Sequence, residues 1–68
     1  MPNVEISIRA GRGDQVARDL ISSVTTAVVE TLKVPSNTVR VIVTEVPATH
    51  WGIGEMTLAE KMAEDGLT

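Results

Sequence analysis

The strongest constraint on this chain is the order of its patterns: an alternating apolar run, one amphipathic segment and a second alternating run, all within 68 residues. In "VEISI", Val4, Ile6 and Ile8 share one face while Glu5, Ser7 and Arg9 share the other, the period of a half-buried strand. The turn "AGRGD" follows, and Asp14 is placed to cap a helix running to about Lys33. Within that helix Val16, Leu20, Val24, Ala27, Val28, Thr31 and Leu32 recur at three- and four-residue steps as one apolar stripe. Pro35 stops it. The second run, Thr38 to Val46, is β-branched almost throughout and sets Val39, Val41 and Val43 against Arg40, Ile42 and Thr44. Strand, helix of about five turns and strand make a βαβ unit with parallel strands and a right-handed crossover.

One such unit is too small to be self-sufficient. A domain near 60 residues buries only about 60% of its unfolded surface, and two strands do not make a stable sheet alone. The chain has no cysteine for a disulfide and one histidine, too few for a structural zinc site. Oligomerisation is the remaining staple, with a partner subunit extending the sheet. The tail carries Gly52 and Gly54, which suggest a short hairpin, and then Thr57 to Glu64, which fits either a helical turn or a docking arm. A single domain over residues 1–68 is expected, without linkers or repeats.

Composition excludes some partners. A net charge of −3 and a single aromatic side chain, Trp51, do not suit a nucleic-acid binder, which needs a basic stripe and stacking rings. No signal-type segment is visible, and no apolar run nears the roughly 20 residues that span a bilayer. A soluble, cytoplasmic protein is expected.

The residues alone leave several readings open. Pro2 is a favourable second residue, or, because Met is generally removed before a small residue, an amino-terminal secondary amine. Arg12 in a turn is ordinarily a solvated charge, whereas Arg40 sits inside an apolar strand, facing away from the valines, at an interface or a site. Trp51 is a pocket wall or an interface anchor. His50 is read as a solvated turn residue without a role. "GIG" does not follow a strand or open a clear helix, so it is weak as a phosphate loop. The "RGD" of Arg12 to Asp14 is read as a chance triplet.

Taken together, Pro2 behind Met1, Gly11 and Arg12, the helix, "VRVIVTEV" and "HWGIG" resemble the 4-oxalocrotonate tautomerase family of the tautomerase superfamily, across nearly the whole chain. The resemblance implies an α/β fold: a small β-α-β subunit with parallel strands, one crossover helix and a C-terminal hairpin, extended by oligomerisation. It implies hexamers, trimers of dimers, with sites shared between subunits and no cofactor. It also implies a cofactor-independent isomerase of aromatic catabolism that ketonises 2-hydroxymuconate or a related 2-hydroxydienoate to its 2-oxo isomer. Pro2 is then the general base, Arg12 and Arg40 bind and polarise a small anionic keto or enol acid, and Trp51 stands where the family usually has Phe.

The chemistry suits these residue types. Returning a proton between an enol oxygen and a carbon is most efficient with a group whose pKa lies near the operating pH. An ordinary α-amino group titrates at roughly 7.7 to 8.0. Proline's amine is intrinsically more basic, while burial and neighbouring guanidinium charge lower an ammonium's pKa. Arginine forks bind carboxylates bidentately and stabilise negative charge growing on an oxygen.

Arg9 departs from the family pattern, where an apolar residue is common. Strand alternation puts it beside Glu5, so it is either an exposed cation paired with Glu5 or a third cation of the substrate site. In the second reading the chain is similar to the α subunit of trans-3-chloroacrylic acid dehalogenase, a relative with arginines at the Arg9 and Arg12 positions. That enzyme's water-activating glutamate aligns with Ile53, and Glu55 lies two residues on. A hydratase or dehalogenase acting on an unsaturated acid is thus the alternative activity, and a non-catalytic subunit of a hetero-oligomer is the alternative role.

Overall fold

A computed structural model describes residues 1–66. Strand β1 (Asn3–Arg9) leads through a four-residue loop into helix α1 (Asp14–Leu32), and a 3-10 turn at Ser36–Thr38 enters strand β2 (Arg40–Val46). A second 3-10 turn at Ala48–His50 is followed by β3 (Gly52–Ile53), β4 (Met56–Thr57) and helix α2 (Leu58–Glu64). β1 and β2 pair in parallel, from Asn3 opposite Arg40 to Arg9 opposite Val46. β3 and β4 form the antiparallel hairpin marked by the paired glycines. The β-α-β order and the C-terminal hairpin agree with the sequence reading.

Local chemistry sets the boundaries. The N-cap of α1 is Gly13 rather than Asp14: at φ 88°, ψ 164° only the glycine enters the helix this way, and Asp14 becomes the first helical residue. There its carboxylate lies at the positive end of the helix dipole. The helix closes at Lys33, whose N–H bonds the Val29 carbonyl from a left-handed conformation, φ 58° and ψ 46°. β2 begins two residues later than Thr38, because Val39 N–H bonds the Ser36 carbonyl and the Thr38 hydroxyl bonds the Pro35 carbonyl at 2.7 Å. The stretch from Thr57 to Glu64 resolves into a helix with a full capping box: the Thr57 hydroxyl accepts from Glu60 N–H, and the Glu60 carboxylate from Thr57 N–H.

The subunit has almost no interior. Among the described residues only Val39 is buried. Val4, Ile6, Val41, Val43, Leu20, Val24 and Val28 are half-buried between sheet and α1. The rest of the expected stripe is uncovered: Val16, Ala27, Thr31 and Leu32 are exposed, Leu32 at 55%. The reason is width. Neighbouring strands lie about 4.8 Å apart, whereas a helix with side chains is about 10 Å across. Size measures agree: the radius of gyration is 15.3 Å, against about 11 Å for a compact chain of this length. The accessible surface is 4994 Å², against about 4,200 Å² for a folded monomer of this mass. No helix among the described residues is long and apolar enough to cross a membrane.

Two outcomes follow. Sedimentation at micromolar concentration should show no substantial monomer; a well-folded monomer would contradict the deficit of core. Replacing Lys33 by Gly should raise stability by about 0.5–1 kcal/mol, since glycine takes the left-handed C-terminal position without strain. Urea midpoints of the two proteins, compared at one protein concentration, test this.

Candidate active site

The parallel register sorts the candidate residues into two groups. At the start of the sheet, the Arg40 N–H donates to the Pro2 carbonyl at 2.9 Å, continuing the ladder one step beyond Asn3. Pro2 is half-buried there and Arg40 is exposed. The Arg40 guanidinium folds back onto its own turn, Nη1 donating to the Asn37 carbonyl at 2.8 Å and to the Val39 carbonyl at 3.3 Å. The Nε and Nη2 edge has no further bond among the described residues, so one side of the fork stays available to an anion.

At the other end, β1 finishes at Arg9, and the loop Ala10 to Gly13 carries Arg12 into solvent. Ala10 N–H bonds the Val46 carbonyl at 2.9 Å, which keeps this loop beside the end of β2. Trp51 follows Val46 through Pro47 and the second 3-10 turn, and is half-buried. Its carbonyl accepts the Leu58 N–H at 2.7 Å, so the first residue of α2 is tied to it. Ile53 is exposed on β3, and Glu55 on the hairpin turn.

Arg9 is not paired with Glu5. Its Nη1 donates to the Met62 sulfur at 3.0 Å, across from β1 to α2. Arg9 is half-buried, whereas Asn3, Glu5 and Ser7 on the same face are exposed, because α2 covers only this end of the strand. The carboxylate pairing fails because the acceptor that packs against Arg9 is on α2. Sequence reading missed Met62, although Thr57 and Glu60 have the spacing that announces a helix start just ahead of it.

The two groups are separated by the length of β1, seven residues and therefore roughly 20 Å. Pro2 and Arg40 lie at one end, and Arg9, Arg12 and Trp51 at the other. An arginine side chain does not bridge that distance, so no single subunit brings all five together. Arg9, Arg12 and Arg40 make no ion pair among the described residues; the pairs present are Lys61 with Glu64 and with Asp65, both exposed on α2. Among the described residues, three guanidinium groups thus lack an ionic partner in a chain of net charge −3. An open depression on α1, lined in part by Asp19, Ser22, Thr25 and Ser36, holds none of the candidate residues. Its small polar lining offers no acid–base chemistry, and the sheet ends are the better site.

Comparison with known proteins follows the same pattern. The sequence model of the Tautomerase enzyme family matches residues 2–60. The 2-hydroxymuconate tautomerase of Stutzerimonas stutzeri is 44% identical over 54 residues, 79% of this chain and 86% of that enzyme. The crystal structure of TomN, a 4-oxalocrotonate tautomerase homologue of the tomaymycin biosynthetic pathway, superposes with a TM-score of 0.87 at 37% identity, over 91% of this chain and 95% of that one. A heterohexamer 4-oxalocrotonate tautomerase from Chloroflexus aurantiacus superposes at 0.81 with 33% identity, over 88% and 97% of the two chains.

Proposed function

The chain belongs to the tautomerase family, and on that premise we propose that it is a single-domain, cofactor-independent isomerase that ketonises 2-hydroxymuconate or a related 2-hydroxydienoate. The observation that carries this reading is the 44% identity to a 2-hydroxymuconate tautomerase along most of that enzyme. Pro2, freed by removal of Met1, is the general base. Its nitrogen takes the proton of the 2-hydroxyl, C2=O forms, the C2=C3 pair shifts to C3=C4, and the C4=C5 pair takes the proton back from the nitrogen as a new C–H bond at C5. Arg40 stabilises negative charge on the 2-oxygen and adjoining carboxylate, using the guanidinium edge that its own turn leaves open. Arg12 binds the distal carboxylate with Arg9 nearby, and Trp51 and Ile53 line the pocket and exclude water.

The two-ended arrangement supports sites built between copies. A two-fold relation between subunits sets the Pro2 end of one against the Arg12 end of the other. The reading continues to a cytoplasmic homohexamer, a trimer of dimers. A second reading is favoured by the heterohexameric relative: this chain supplies one end of each site and a different chain the other. Hydration of an unsaturated acid has less support, because it needs a carboxylate to activate water and Ile53 offers none.

Retention of Met1 makes the Pro2 nitrogen an amide, which has no basicity. Protein verified by intact mass as Met-free should ketonise 2-hydroxymuconate at least about a hundredfold faster than Met-retained protein, the usual worth of a positioned base. Equal rates would rule Pro2 out. The shared site has its own test. Inactive Pro2→Gly and Arg12→Ala subunits, mixed equally and reassembled, should regain activity in about a quarter of the sites, because half the pairs are mixed and each restores one of two. No recovery above either parent would place base and arginine within one chain.

A further inference from the structure

The way Arg9 is seated bears on which anions the site accepts. A half-buried guanidinium is ordinarily held by a carboxylate, whose fork matches its own and whose charge cancels it. Here the acceptor is the thioether of Met62, 3.0 Å from Nη1. A thioether sulfur is a weak, polarisable acceptor that carries no charge. It gives the guanidinium a fixed neighbour and leaves the full positive charge for something else. The carboxylates nearest in sequence to Met62 do not take that place: Glu64 and Asp65 form exposed ion pairs with Lys61, at 3.8 and 3.5 Å, and Glu60 closes the capping box.

The helix that presents Met62 is itself held at the site. Leu58 N–H is bonded to the Trp51 carbonyl, and the reciprocal Thr57–Glu60 bonds, each 3.1 Å, fix the first turn. One seven-residue helix therefore grips the backbone of Trp51 at its start and the guanidinium of Arg9 one turn later. Met62 also lies past residue 60, where the match to the family ends.

We propose that Met62 is a positioning residue that seats Arg9 as an uncompensated cation at the Arg12–Trp51 end of the subunit, so that the pocket selects dianions over monoanions. This rests on the small-acid substrate class proposed above, and its test reads binding rather than turnover. Trp51 is the sole tryptophan, so its fluorescence can report titrations with 2-oxoadipate, a dianion, and 2-oxohexanoate, its monoanionic counterpart. The Met-free assembled protein is used throughout.

Wild type should bind the diacid about tenfold more tightly than the monoacid, the worth of one charge-assisted contact. Met62→Leu keeps the volume but removes the acceptor, and should cut that preference several-fold while leaving monoacid affinity unchanged. Met62→Glu places a carboxylate on Arg9 and should cut the preference further than Met62→Leu does, to what Arg12 alone supplies. A purely structural Met62 would weaken both ligands alike, and that result overturns the proposal. So does an unchanged diacid preference in Met62→Glu, or its absence in wild type. If 2-hydroxymuconate is not turned over but a Met62-dependent diacid preference is found, the proposed reaction falls and this inference stands.

Discussion

A two-stranded sheet is narrower than the helix that lies on it, and the rest of the subunit answers to that mismatch. α1 brings a stripe wide enough for a broader sheet, and the pair β1–β2 covers only its middle, Leu20, Val24 and Val28. Val16 and Leu32 stay in water at its two ends, and Ile42 stays in water on the far face of the sheet. At about 25 cal/mol for each Å² of apolar surface withdrawn from water, covering these side chains is a large share of what a 68-residue chain has available. Where a second subunit covers these side chains, folding and assembly are coupled, and stability then depends on protein concentration.

The same geometry decides where chemistry can happen. One face of the sheet is occupied by packing against α1, and the candidate groups lie at the strand ends and in the loops that leave them. A parallel pair has two distinct ends, and here a proline and an arginine lie at one, two arginines and a tryptophan at the other. Arg9, Arg12 and Arg40 have no ion pair among the described residues, so both ends present guanidinium charge that a small anion or a second subunit can meet.

Much of this was legible in the residues. The period of two in Val4–Ile8 and Val39–Val43 gave away both strands and their inward faces, because alternation is a direct projection of strand geometry. The helix was legible from its stripe, and the hairpin from Gly52 and Gly54. The misplaced details have local causes. Asp14 has the chemistry of an N-cap, but Gly13 accepts the positive φ that the entry demands. Thr38 has the propensity of a strand residue, but its hydroxyl closes a turn onto Pro35. The Glu5 pairing, one of the two readings alternation leaves open for Arg9, does not form, because alternation says nothing about a helix that folds back from far along the chain, and the Arg9–Met62 bond spans a separation of 53 residues. Long-range contacts of that kind leave no periodic trace.

The bond from Arg40 N–H to the Pro2 carbonyl has a consequence for how such proteins change over generations. It holds Pro2 by the oxygen alone: joined to a preceding residue the proline nitrogen has no N–H to give, and the bond to Arg40 does not call on that nitrogen in either state. The scaffold is therefore indifferent to the chemical state of that nitrogen. A lineage in which another segment becomes joined ahead of Pro2 turns that nitrogen into an amide and leaves the bond to Arg40 as it was. Selection can then act on the chemistry of the strand's first residue independently of the strand itself.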